Sequence, residues 1–249
     1  MALVGSRGRA LVDRELYLPE SWCRDRARCD EAGVPEDVTF ATKPQLARQM
    51  LKRAFAAGCR PSYVLADEVY GHDSKFRRFL ESRGQPYVLA VSCQQRLWVE
   101  FRQKRVDEIV RTTPAQAWQR LSVGDGAKGP RVYDWAAAQF GAVTEDGLTR
   151  WLLIRRSVTD PDDLAYYLCL APQTASGKDL AQAAGQRWAI ETCFECAKQE
   201  TGLDEYEVRS WVGWYRHVTL SMLALAFLAA VRAEANRPRR GSRAKKGRL

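Results

Sequence analysis

Pro61-Ser-Tyr-Val-Leu-Ala-Asp67 is a short apolar run that ends in a carboxylate. Upstream, Lys43 to Ala57 carries Leu46, Met50, Leu51 and Ala54 at helical spacing and stops at Gly58. Downstream, Asp73 can cap a helix that runs to Ser82 and is ended by Gly84, and Tyr87-Val-Leu-Ala-Val91 is a second buried strand by composition. Helix, strand, helix, strand predicts an α/β core, in which a parallel strand delivers Asp67 to the C-terminal edge of the sheet.

Working outward, Gly8 to Leu18 alternates and ends at Pro19, the pattern of a strand. Ser21 to Thr42 is polar and punctuated by Cys, Gly and Pro, so a short helix in a long loop is expected there. From Cys93 to Pro172 the chain becomes strand- and turn-rich, with candidates at Arg96–Phe101, Arg131–Trp135, Arg150–Arg155 and Ala165–Leu170 and a glycine-rich stretch from Gly124 to Pro130. Leu180 to Lys198 has no proline and one glycine, which predicts a helix. On it Arg187, Glu191, Phe194 and Lys198 fall in one narrow stripe, two cations around one carboxylate. The plain reading of that stripe is a set of surface salt bridges, each contributing a few tenths of a kcal/mol. Val218 to Val231 is strongly apolar but shorter than the roughly 20 residues that span a bilayer. Arg216, His217 and Arg232 bound it, so a buried core helix and no membrane partner are expected.

The 249 residues are 46% hydrophobic and 28% charged, ordinary for a globular chain with a full core. Lys and Arg total 39 against 30 Asp and Glu, and the net charge of +9 favours a polyanionic partner, most often nucleic acid. Part of that charge lies in Arg237–Leu249, a basic low-complexity end predicted to be disordered. Seven scattered cysteines without a secretory signal point to free thiols in a reducing cytosol. Cys193-Phe-Glu-Cys196 has metal-ligand spacing, yet no second Cys or His pair lies near it in the sequence, which argues against zinc.

Asp67 and Glu191 stand on separate elements, as two carboxylates must if they are to converge on divalent cations. Oxygen ligands suit Mg²⁺ or Mn²⁺. Arg187 and Lys198, one or two turns from Glu191, could grip flanking phosphates. Lys128 and Arg131 fit either a phosphate-holding loop or a plain turn. A structural role leads for Glu68, a surface position for His72, and core packing over base stacking for Trp98, Trp135 and Trp151.

Three motifs in order resemble the DDE transposases of bacterial insertion sequences, in the branch with a β-rich insertion between the second Asp and the Glu. They are Ala66-Asp-Glu-Val-Tyr-Gly71; Gly126-Ala-Lys-Gly-Pro-Arg-Val-Tyr-Asp-Trp135; and Arg187-Trp-Ala-Ile-Glu191 through Lys198, followed by Gly202–Trp211 and Gly213–His217. The resemblance implies a ribonuclease H-like core with a β-rich insertion and incomplete at its N-terminus. The core's first part is expected over 1–92, the insertion over 93–176, a helical second part over 177–236 and the tail over 237–249.

It also implies Asp67 and Glu191 as catalytic, metal-binding residues. Two Mg²⁺ (or Mn²⁺) ions would serve hydrolysis and strand transfer at element ends. Arg187, Lys198, Lys128 and Arg131 would hold DNA at terminal inverted repeats and target sites. A dimer on DNA and a cytoplasmic, nucleoid-associated location follow from the same comparison. Two positions depart from the family pattern: Ala184 stands where the family has Tyr, and the family's first Asp has no counterpart, Asp13 lying on a following strand. The expectation is a truncated transposase that does not cut DNA efficiently alone. The alternatives are a non-catalytic DNA-binding remnant that inhibits an intact transposase, or a basic scaffold or RNA-binding protein.

Overall fold

The computed structural model describes residues 1–99, 101–126 and 129–236. The predicted basic tail lies outside them. In chain order the elements are β1 (Ala2–Gly5), β2 (Gly8–Leu11), α1 (Glu20–Arg24), α2 (Arg26–Glu31), α3 (Lys43–Ala56), β3 (Val64–Ala66), α4 (Glu68–Gly71), α5 (Ser74–Glu81) and β4 (Tyr87–Val91). There follow β5 (Arg96–Val99), β6 (Arg102–Arg105), α6 (Val106–Arg111), β7 (Gln119–Gly126), β8 (Gly129–Phe140), β9 (Leu148–Ser157), β10 (Leu164–Pro172), α7 (Gly177–Gly185), α8 (Ala189–Thr201) and α9 (Trp211–Ala235). They fall into two compact units. The larger holds Glu15–Cys29 and Pro35–Trp188; the smaller holds Met1–Arg14, Asp30–Val34 and the chain from Ala189 onward.

The larger unit is built on a six-stranded mixed sheet in the order β3-β4-β10-β9-β8-β7. β3 and β4 run parallel, as the helix–strand alternation predicts, and every other pair is antiparallel. The strands expected in the 93–176 segment thus continue the sheet of the core, because β10 pairs directly with β4 from Leu170↔Tyr87 to Tyr166↔Val91. This mixed α/β architecture is compatible with a ribonuclease H-like fold.

Helix starts in this unit are set by side-chain caps. Thr42 and Gln45 form a capping box at α3, the Asp73 carboxylate accepts the Phe76 amide at α5, and Ser176 with Asp179 caps α7. The core lies between α7 and the sheet, where Leu180, Ala181, Ala183 and Ala184 pack on Val88, Val123, Trp135, Trp151, Leu153, Tyr167 and Cys169. Small residues on α7 leave room for the two indoles opposite. On the other face, Gly71 of α4 meets the backbone of β4: a Cβ at that position would overlap the Ala90 carbonyl oxygen.

α5 is tied to the sheet by a carboxylate. Arg150 of β9 donates two hydrogen bonds to Glu81, at 3.1 and 2.8 Å, and the buried Tyr87 hydroxyl donates a third at 2.8 Å. Burial alone would raise the Glu81 pKa, but these bonds hold it below the usual carboxylate value. Tyr87 is pushed up, by burial first and by the Glu81 charge second.

In the smaller unit, the alternating stretch from Gly8 is a hairpin of four-residue strands, β1 with β2, rather than one strand reaching Leu18. Leu11 packs with Cys193 and Ala197 of α8 and Leu225 of α9. The expectation of a buried core helix at 218–231 fails. α9 runs for 25 residues, and only Val218, Ser221 and Leu225 of it are buried, on the one stripe that meets β2 and α8. By length and composition α9 also qualifies as a candidate membrane span, with 17% of its most apolar stretch buried.

Two outcomes check this architecture. Gly71→Ala should lower stability by about 1–3 kcal/mol or more, the range of overpacking, in urea denaturation. Glu81→Gln should cost about 1–3 kcal/mol at pH 7, since hydrogen bonds to a charged group are lost. A lowered folded pKa adds stability that is complete above the unfolded value of about 4.3 and is lost as pH falls through the folded value. The difference between wild type and Glu81→Gln should therefore shrink when unfolding is measured at pH 3.

Candidate nucleic-acid interface

Asp67 follows the last residue of β3, at the C-terminal edge of the sheet. Its carboxylate accepts the Val69 amide at 3.0 Å and so caps the single turn of α4, while the side chain stays exposed. Its charge reaches Tyr70, whose pKa is raised by burial first and by Asp67 second. The sequence reading placed this residue correctly and did not foresee the capping role.

The expected continuous helix from Leu180 to Lys198 is broken. α7 ends at Gly185, residues 186–188 form a 3-10 turn, and α8 begins at Ala189. The junction coincides with a close approach: a Cβ on Gly185 would sit 2.5 Å from the Val123 carbonyl oxygen and 2.8 Å from Val123 Cβ. The chain presses onto β7 there and changes pitch. Arg187 consequently belongs to the 3-10 turn.

That turn packs against β3. Beside it, two of the sequence-predicted cations meet. The Arg131 guanidinium lies over the Trp188 ring at 4.8 Å, and that of Arg187 lies 5.8 Å from the same ring. Arg131 stands on β8 and not in a loop. Period two along β8 puts Tyr133 and Trp135 on its side of the sheet, and the Trp135↔Arg155 register brings Arg155 alongside. Arg155 covers the Tyr133 ring at 4.6 Å and reaches Asp163 at 3.2 Å.

A shallow cleft is lined by Arg131, Tyr133, Arg155, Tyr167, Arg187 and Trp188. Burial raises the Tyr167 pKa, and the charges of Arg155 and Arg187 oppose that rise. Three guanidiniums thus converge on a floor of aromatic rings, an arrangement suited to phosphates and stacked bases. Arg155 and Tyr133 escaped the sequence reading. The signal was there, Arg and aromatic residues at alternate positions on two strands, but joining them needs the register.

The remaining candidates lie elsewhere. Glu191, Phe194 and Lys198 are exposed on α8 in the smaller unit, where the Lys198 ammonium stands 4.0 Å from Asp204. Lys128 lies outside the described residues. Cys193 is buried, and burial raises its thiol pKa. Among the described residues no three His, Cys, Asp or Glu side chains group as a metal ion requires.

Residues 1–108 match the family described as DDE superfamily endonuclease. Over this segment the chain is similar to that family. The match covers Asp67 and stops before β7, so it says nothing of Arg131, Arg187, Glu191 or Lys198. No curated protein matches the chain.

The Gly185 contact is open to a direct check. Gly185→Val should destabilise by about 2 kcal/mol or more through overpacking against Val123, read as a lower urea midpoint.

Proposed function

We propose that this chain, similar over residues 1–108 to DDE superfamily endonucleases, handles DNA ends in transposition, as the transposase of a bacterial insertion sequence does. The observation that carries the reading is the pair Arg131 and Arg187 at Trp188, whose turn packs on β3, the strand that Asp67 follows. Guanidiniums held on an aromatic floor bind phosphate without reading sequence. The cleft would therefore grip the backbone beside the bond to be cut, with Lys128 and Lys198 as further phosphate contacts. Asp67 and Glu191 would serve as two carboxylate ligands for Mg²⁺ or Mn²⁺, with two ions expected. When bound, such ions activate the attacking oxygen and stabilise the leaving one.

A second reading keeps the arginine cleft and drops the chemistry. On it, the 249-residue chain binds DNA without cutting it and interferes with a complete transposase. Pairing of two DNA ends would bring two copies together, in the cytoplasm and on the nucleoid.

Anisotropy of a fluorescent 30-base-pair duplex, titrated at several salt concentrations, tests the shared core of these readings. Binding should weaken steeply with salt, and Arg131→Ala and Arg187→Ala should each reduce the log–log salt slope by about one. Asp67→Asn should leave affinity unchanged. Salt-independent binding, or indifference to both arginines, would overturn the interface. Nicking of supercoiled plasmid by the purified chain with Mg²⁺ separates the two readings: cleavage abolished by Asp67→Asn establishes the first, and none the second.

A further inference from the structure

α9 carries two apolar stripes on opposite sides. Val218, Ser221 and Leu225 recur at three- and four-residue steps and are buried within the smaller unit, where Leu225 joins Leu11, Cys193 and Ala197. Turned away from them, Leu220, Leu223, Phe227 and Val231 recur at the same steps and are 66%, 65%, 66% and 50% exposed. An exposed row of this length marks an interaction surface.

The ends of that row decide its occupant. Arg216 lies four residues before Leu220 and Glu234 three after Val231, so both continue the stripe and both are exposed. Their positions are symmetric: each lies nine residues from the level of Leu225, and Leu223 and Phe227 each lie two from it. An antiparallel pair of identical helices centred there would set Leu223 against Phe227 of the second copy, and Arg216 against Glu234 of the second copy, twice over. A parallel pair would instead stack like charges at both ends. A bilayer is a poor occupant, because Arg216 and Glu234 sit in the stripe itself. The apolar row between them covers 14 residues from Val218 to Val231, about 21 Å at a 1.5 Å rise against a hydrocarbon thickness near 30 Å.

We propose that the exposed face of α9 is a self-association surface on which two copies of this chain pair antiparallel, in an isologous contact. The surface would serve the pairing of copies on DNA suggested above. It does not depend on that reading, and its test uses no DNA.

Sedimentation equilibrium of the full chain at micromolar concentration should give twice the 28.2 kDa chain mass. Leu223→Asp with Phe227→Asp should give the monomer with unchanged circular dichroism. Arg216→Glu and Glu234→Arg should each weaken the dimer by about fivefold or more, since each places like charges together at two symmetric points. The double reversal should restore it. A wild-type chain that stays monomeric, a dimer indifferent to all four substitutions, or flotation with phosphatidylcholine vesicles instead of dimerisation would overturn the proposal. Failure of the double reversal to rescue would overturn the antiparallel register.

Discussion

The helical turn after Asp67 lies so close to β4 that nothing larger than hydrogen fits at Gly71 against the Ala90 carbonyl. Most of what places the candidate site follows from that contact. It seats α4 on the strand, fixes the direction in which the chain leaves β3, and holds the Asp67 carboxylate at the rim where the 3-10 turn of Arg187 also packs. β4 can accept this approach because it is covered on both faces: Val88 packs with α7, while Leu89 lies beneath Gly71. A strand with one wet face would have no such constraint to impose.

Sequence reading reached the parts governed by local pattern. The helix spacing of Leu46, Met50, Leu51 and Ala54, the Asp73 cap and the apolar run of β4 all fell where periodicity and capping placed them. The reading failed where a distant backbone intervenes. Nothing in Leu180–Lys198 announces that Gly185 will press on Val123, so the helix was drawn through a point where the chain changes pitch. Nor does composition reveal which side of an apolar segment is covered, and α9 looked like core because all of its faces are apolar. The strand Gln119–Gly126 was hidden for a related reason. Its polar and glycine residues show no apolar alternation, and only pairing with β8 makes them a strand.

The candidate residues divide in the same way. Asp67 was legible because strand ends are legible. The meeting of Arg131 and Arg187 was not, since 56 residues separate them and only the sheet brings them to one ring. Asp134 gives a counterexample on the opposite face, where Arg120 and Arg156 both pair with it at 2.9 and 3.3 Å. Those two arginines are committed to a carboxylate across three strands, and their charge is already answered within the protein.

An arginine seated on an indole is held differently from one clasped by an acid. Contact with a ring face restrains the long side chain without consuming the N–H donors of the guanidinium. Much of the rotational freedom that such a side chain would surrender on meeting a partner has then been given up during folding. At Trp188 the Arg131 side chain is thus restrained before any anion arrives, and its grip should be limited by solvation more than by entropy.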